Sequence, residues 1–225
     1  MKYTFTLFLA LVLSFSASAQ NIKYTEASES DPKAKAVLDK VKKRYQSYKS
    51  MAADFSLEIE FPEQPVEVQK GMLKQQNDKY YMKIGTQEIL SDGTAVWFIF
   101  NNNKEVQIND IPEDDDMGLM TPQSLFSFYE QDEFVYVLVN EFMEKGKAVQ
   151  QIEFKPLDRN ADYSKLRLTV NKKTSEIVRM KAFAKDGSRY TFSIGKLTAN
   201  KAIADANFTF DKSKYAGYYI EDLRE

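Results

Sequence analysis

Residues 54–61 read Asp-Phe-Ser-Leu-Glu-Ile-Glu-Phe, and this octapeptide shows the pattern that governs most of the chain. Phe55, Leu57, Ile59 and Phe61 alternate with polar side chains. Because successive side chains of a strand point to opposite faces, a period of two predicts a strand with one buried face and one solvated face. Similar strands are predicted near residues 66–75, 79–84, 87–91, 94–100, 104–109, 134–140, 148–155, 165–171, 176–184, 189–197 and 206–210.

Tight turns separate several of these segments. Ser91-Asp92-Gly93, Asn101-Asn102-Asn103 and Lys185-Asp186-Gly187 supply the Asn and Gly residues that hairpin turns require, which predicts an antiparallel meander. About eleven strands at this spacing must curl into an open or closed barrel or split into a sandwich, and we favour the curled sheet. The fold class predicted from the residues is therefore mainly β.

A helix is predicted before the first strand. Asp31-Pro32 provides an N-cap followed by proline at the first helical position. Apolar residues then recur at steps of three and four, which predicts an amphipathic helix over residues 32–48. These residues are Ala34, Val37, Leu38, Val41, Tyr45 and Tyr48.

A second helical signal lies in the middle of the chain. Thr121-Pro122 repeats the cap-plus-proline start, and apolar residues including Leu125 and Phe126 follow it, which predicts a short helix over residues 122–130. The acidic stretch Glu113–Asp116 precedes this helix. We interpret that stretch as a solvated loop, because it lacks the spaced oxygen ligands and the glycine of an EF-hand.

The first nineteen residues have the three-part pattern of a secretory signal peptide. Lys2 gives the basic start, an apolar run extends from Phe5 to Phe15, and Ala17-Ser18-Ala19 precedes Gln20. Residues 1–19 are therefore predicted to be a signal peptide cleaved after Ala19, and the mature protein is predicted to be exported. Residues 20–225 are predicted to form a single domain.

Composition argues against several functional classes. The sequence contains no His and no Cys, the residues that most often serve as general base, thiol nucleophile and zinc ligand. No phosphate-binding glycine loop is present. The formal charge of −2 provides no basic surface for nucleic acid. We therefore predict a protein that is not an enzyme, needs no cofactor and does not bind nucleic acid.

Two segments carry apolar residues on both faces of a predicted strand. They are Tyr80-Tyr81-Met82 and Val96 to Phe100. One interpretation is ordinary core packing; the other is that helices lie over a concave sheet and that aromatic and Met side chains line an adaptable apolar cavity. Strand alternation assigns Phe55, Leu57 and Phe98 to such a lining, while the relative facing of Trp97 and Phe98 stays open.

Several stretches in fixed order are similar to one known family, the periplasmic carriers of outer-membrane lipoproteins (LolA). The resemblance covers nearly the whole mature chain. The matching stretches are Met51-Ala52-Ala53-Asp54-Phe55-Ser56, Gly71-Met72-Leu73, Ser91-Asp92-Gly93 followed by Val96-Trp97-Phe98, Thr121-Pro122 with Leu125, and Ala206-Asn207-Phe208-Thr209-Phe210.

The resemblance implies a fold and a function. The fold would be an unclosed antiparallel β-barrel, a strongly curved sheet of about eleven strands with an N-terminal helix and a short helical lid. The protein would be a monomer in the periplasm that takes triacylated lipoproteins from an inner-membrane ABC-type release complex and carries them towards an outer-membrane acceptor. Tyr80 and Met82 would match inward strand positions of the family, and Leu125 and Phe126 its lid helix.

The chain departs from the family at one position. Many members have an Arg-Pro pair whose arginine holds the lid closed, whereas the nearest residues here are Asn77 and Asp78. Either another residue holds the lid or the carrier stays more open. Two other functions remain open on the residues alone: a periplasmic carrier of another lipid or hydrophobic ligand, and a non-catalytic envelope assembly protein. An enzyme would require carboxylates that converge in a pocket.

Overall fold

The computed structural model describes residues 26–111 and 133–224. Within these ranges the chain forms a helix, α1 (Pro32–Gln46), and twelve strands of a single sheet. The strands are β1 (Ser50–Glu60), β2 (Glu67–Gln76), β3 (Lys79–Ile84), β4 (Gln87–Ser91), β5 (Ala95–Phe100), β6 (Glu105–Asp110), β7 (Phe134–Glu144), β8 (Lys147–Pro156), β9 (Tyr163–Asn171), β10 (Ile177–Ala184), β11 (Arg189–Ala199) and β12 (Tyr219–Asp222).

Two meanders meet side by side in this sheet. The strand order is β12-β6-β5-β4-β3-β2-β1-β11-β10-β9-β8-β7, so β1 to β6 form one half and β7 to β11 the other. All strand pairs are antiparallel except β12 with β6, which is parallel. Because β12 and β7 stand at opposite ends, the sheet is unclosed. The predicted curved, unclosed, mostly β fold is confirmed.

The register assigns every strand residue to one of two faces, since directly paired residues share a face. We call the face that carries α1 the inner face and the opposite one the outer face. Phe55 and Leu57 belong to the inner face, and their partners on β11 are Ile194 and Phe192. Phe55, Phe192 and Ile194 belong to the same main hydrophobic core as the buried side chains of α1.

The helix begins at Pro32 as predicted and ends at Gln46, two residues before the predicted end. Asp31 caps α1 by accepting a hydrogen bond from the Lys33 backbone N–H (2.8 Å). The second oxygen of the same carboxylate accepts from the Leu138 N–H on edge strand β7 (3.2 Å). At the other end the Tyr45 hydroxyl accepts from the Ile177 N–H of β10 (3.1 Å). The apolar stripe of α1 is therefore fixed over the inner face of β7 to β10.

The C-terminal segment corrects one prediction. Residues 206–210 do not form a strand: Asp205–Asn207 is a short 3₁₀ helix, and the backbone after it is irregular. Phe208 is fully buried, and Phe210 packs in a second apolar cluster on the outer face of β4 to β6. The last strand is instead β12, which the sequence pattern did not indicate. The C-terminal segment therefore covers part of the outer face. The sequence pattern had predicted cover only from helices over the inner face.

Three predictions lie outside the described residues. They are the signal peptide 1–19, the acidic stretch Glu113–Asp116 and the short helix over residues 122–130. They stay predictions.

Candidate functional site

A continuous apolar row crosses the inner face of the first meander. Leu73 on β2 pairs directly with Met82 on β3, Met82 pairs with Ile89 on β4, and Ile89 pairs with Phe98 on β5. The row ends at Gln107 on β6. Since directly opposite side chains touch, these four form one apolar strip across four strands.

Two flanking rows extend this strip. Tyr80 lies on one side of Met82 along β3, and Ile84 lies on the other. Both side chains are half-buried, as are Met82, Phe98 and Phe100 on the same face, whereas Ile89 and Leu73 are buried. The inner face of β2 to β5 thus combines a packed floor with large apolar side chains that keep accessible surface. This combination suits an apolar ligand.

The pKa of the Tyr80 hydroxyl indicates that this part of the inner face is partly removed from water. Removal from water by burial raises its pKa to about 12, with no charged group contributing. Among the described residues, no side chain or backbone group forms a hydrogen bond with this hydroxyl. Its direct partners on the inner face are Gln75 on β2 and Ser91 on β4, so Tyr80 marks the polar border of the apolar strip.

Phe55 and Leu57 lie on the inner face where the two meanders meet. The Phe55 ring packs on that of Phe192 with centroids 4.8 Å apart. It also lies over Gly71, its direct partner on β2, where any Cβ would collide with the ring. The glycine of the Gly71-Met72-Leu73 stretch is thus required by a close approach of an aromatic ring, which sequence reasoning had not explained.

The structure places five predicted site residues together and leaves two outside. Phe55, Leu57, Tyr80, Met82 and Phe98 share the inner face. Leu125 and Phe126 lie outside the described residues. Sequence reasoning missed Leu73 and Ile89, although the period-two alternation of their strands could have indicated them.

The open question about Trp97 is settled by the register. Trp97 pairs with Leu90 and Ile108 on the outer face, and its ring stacks on Phe210 at 5.6 Å. Phe98 therefore faces inward.

At the position of the family's Arg-Pro pair, Asn77 has a left-handed backbone (φ 53°) in the tight turn between β2 and β3. Asn77 and Asp78 serve the turn.

The described residues hold no group of three or more His, Cys, Asp or Glu side chains that could bind a metal ion. No helix in the described ranges is both long and apolar enough to cross a bilayer. What the inner face offers chemically is apolar contact.

Comparison with known proteins agrees with this geometry. A family model described as "Outer membrane lipoprotein carrier protein LolA" matches residues 46–211, which is most of the chain. No curated protein is significantly similar to the chain in sequence.

Several solved structures align with the chain at low sequence identity. An uncharacterized conserved protein from Thermus thermophilus aligns with a TM-score of 0.57 at 9% identity, over 86% of this chain and 99% of that one. A LolA superfamily protein from Nitrosomonas europaea aligns at 0.40 and 14%, over 80% and 98%. LprF from Mycobacterium bovis aligns at 0.48 and 11%, over 78% and 97%. At these identities the likeness concerns the fold alone.

Proposed function

The chain belongs to the outer membrane lipoprotein carrier protein LolA family, and from this premise we propose that it is a periplasmic chaperone for lipoproteins. It binds their acyl chains on the apolar inner face and carries them from the inner to the outer membrane. The observation that carries this proposal is the row of Leu73, Met82, Ile89 and Phe98, flanked by half-buried Tyr80.

The energetics of lipid transfer explain why such a surface is needed. Burial of a lipid contributes about 0.8 kcal/mol per CH₂, so three acyl chains of ordinary length are held in a membrane by roughly 30 kcal/mol. A lipoprotein cannot cross water at that cost. A carrier must offer an apolar surface of comparable extent, and an unclosed sheet lined by Met and aromatic side chains can adapt to chains of different shape.

The proposal also names partners and a compartment. The protein takes triacylated lipoproteins from an inner-membrane ABC-type release complex, delivers them to an outer-membrane acceptor, and works in the periplasm as a monomer after cleavage at Ala19. Family membership supports these assignments. Carriage of another hydrophobic ligand is the competing outcome of the experiment below.

A release assay tests the proposal. The purified mature protein is added to spheroplasts that make a radiolabelled triacylated lipoprotein, and label is sought in the soluble fraction bound to the protein. We expect wild type to release label and Met82→Gln to release less, because an amide buried among apolar groups without a partner costs about 1–3 kcal/mol.

Met72→Gln is the matched control. Met72 is on the neighbouring strand β2, but it faces outward and is 39% exposed. It should release label like wild type. If wild type releases none, the lipoprotein cargo is wrong, and extraction of lipid from the purified protein then identifies another ligand. If both variants fail alike, the inner face is not the site.

A further inference from the structure

The outer face carries a trough that the proposed function does not use. It lies where β1 meets β11, because small side chains stand there between rows of long ones: Ser56 pairs directly with Ser193, and Gly195 follows. A cavity of about 440 Å³ lies over Ser56 and Lys70, and another of about 500 Å³ extends to Val149 on β8. Both are lined by residues 193–195, so they adjoin. We call this continuous depression the outer trough.

A β-bulge forms the junction between the two cavities. Ala53 pairs with Leu197 and Phe55 pairs with Ile194, so Gly195 and Lys196 together face only Asp54. A bulge locally interrupts the ladder of backbone hydrogen bonds. A Cβ on Gly195 would stand 3.2 Å from the Asp54 carbonyl oxygen, so glycine permits the close approach of β1 and β11 at this point of the trough.

The charges around the trough are unbalanced. Cations outnumber carboxylates there, although the chain as a whole has a formal charge of −2. The cations lining the two cavities are Lys70, Lys145, Lys147, Arg179 and Lys196, and the carboxylates are Asp54, Glu144 and Glu176.

Two of the carboxylates are already engaged by arginines. Glu144 accepts two hydrogen bonds from Arg179, at 2.5 and 2.9 Å, and Glu176 accepts one from Arg44 at 3.2 Å. The four trough lysines, in contrast, form no ion pair with any described residue. Among the described residues, Asp54 is the one lining carboxylate that no ion pair engages, so the trough presents an excess of positive charge.

The length of the trough fits an extended chain. It runs from β8 to β2 across five interstrand steps, or about 24 Å, which is the length of about seven residues of extended peptide. Its floor is partly apolar, with Val149 and Val178 among the lining residues. A flat membrane surface would not reach into a recessed trough of this kind.

We propose that the outer trough binds an extended acidic peptide segment of a partner protein. The lysines attract the carboxylates, and the small residues of β1 and β11 let the peptide backbone approach the sheet. Binding here is independent of ligand binding on the inner face.

The test uses the full mature protein and a fluorescein-labelled peptide of alternating Glu and Val, about eight residues long. Fluorescence anisotropy should show saturable binding that weakens as salt is raised, because exposed charges are screened. Lys147→Glu combined with Lys196→Glu should weaken binding by about tenfold or more. A peptide with Lys in place of Glu should not bind.

The control changes the same charge elsewhere. Lys201→Glu combined with Lys212→Glu alters exposed lysines outside the trough and should leave binding unchanged. Equal loss in both double variants, or no binding by wild type, would overturn the proposal. Binding of anionic phosphatidylglycerol vesicles that the peptide does not displace would also overturn the proposal. If Lys147→Glu with Lys196→Glu unfolds at a lower temperature than wild type, Lys147→Gln with Lys196→Gln should still show a smaller loss of peptide binding.

Discussion

The ring of Phe55 lies over the Cα atom of Gly71, its direct partner on the neighbouring strand, where any side chain on Gly71 would collide with it. A Cβ there would also stand 2.5 Å from the carbonyl oxygen of Lys83 on β3. One glycine thus lets an aromatic side chain lie flat against the sheet and lets β2 and β3 approach closely, next to the strand at which the two meanders meet.

Gly71→Ala should therefore destabilise the fold. The ring can rotate away, but the Lys83 carbonyl belongs to a paired strand and must move with it, so we expect a loss of about 1–3 kcal/mol in the free energy of unfolding. Urea denaturation measures this loss. Phe55→Leu combined with Gly71→Ala should show non-additive energies, because the smaller side chain removes one of the two collisions. Strict additivity would contradict the contact.

A second prediction concerns Glu88, whose side chain is 11% exposed on the outer face of β4. Burial by itself raises the pKa of this carboxyl, but hydrogen bonds from Lys83, Tyr81 and Asn101 outweigh burial and hold the pKa below its usual value. Glu88→Gln replaces the charged acceptor, and we expect a loss of about 1–3 kcal/mol near neutral pH.

The sign of the pH dependence follows from the direction of the shift. Because the folded-state pKa of Glu88 is depressed, its stabilisation is fully present above the unfolded value of about 4.3 and is lost as pH falls through the folded pKa. The difference in unfolding free energy between wild type and Glu88→Gln should thus be constant near neutrality and shrink in acid. Exposed Glu63→Gln is the control, and near neutral pH its unfolding free energy should equal that of wild type. A difference that grows in acid would refute the assignment.

A third prediction uses the single tryptophan as a reporter. Trp97 stacks on Phe210, and Phe210 stacks on Tyr215 with centroids 5.2 Å apart. Phe210→Ala should expose the indole, shift its emission to longer wavelength and destabilise the fold by about 2–4 kcal/mol. Phe61→Ala, at a ring 38% exposed in a distant turn, should leave the emission unchanged. An unchanged spectrum in Phe210→Ala would mean that the C-terminal segment does not cover Trp97.

This C-terminal cover marks the limit of what the sequence could predict. Strand alternation and the Asp31-Pro32 cap were sufficient for α1 and for β1 to β11, because each has a local period or a start signal. Residues 205–218 have neither: their short 3₁₀ turns and irregular backbone are positioned by packing of Phe210 and Tyr215 against distant strands. The pairing of β1 with β11 likewise depends on contacts between residues far apart in sequence.

The candidate site also has one part that the sequence could predict and another that it could not. Alternation was enough to assign Phe55 and Leu57 to one face, and the resemblance added Tyr80 and Met82, whereas the inward facing of Phe98 needed the register. The alignment of Met82 with Leu73 and Ile89 into one row needed the register, which alternation leaves undetermined. The outer trough was invisible in the sequence, since its lysines come from four separate strands and turns. Contact of any of these residues with a ligand stays a prediction.

Leu125 and Phe126 supply a fourth prediction, which follows from the family resemblance. If they contact the acyl chains, Leu125→Asp with Phe126→Asp should abolish release of labelled lipoprotein from spheroplasts, since a charge cannot enter an apolar site without a partner. Stability in urea should change little if their only role is ligand contact. Release at the wild-type level would remove both residues from the site.

The last prediction concerns the Tyr80 hydroxyl. Its pKa is raised to about 12 by burial, and it forms no hydrogen bond within the described residues, so no protein contact of the hydroxyl stabilises the fold. Tyr80→Phe should therefore leave the unfolding free energy unchanged or raise it by up to about 1 kcal/mol, and should retain or strengthen binding of a fluorescent fatty acid. Met82→Gln should weaken the same binding, which separates the two residues' contributions. Weaker fatty acid binding by Tyr80→Phe at unchanged stability would show instead that the hydroxyl holds the ligand's polar end.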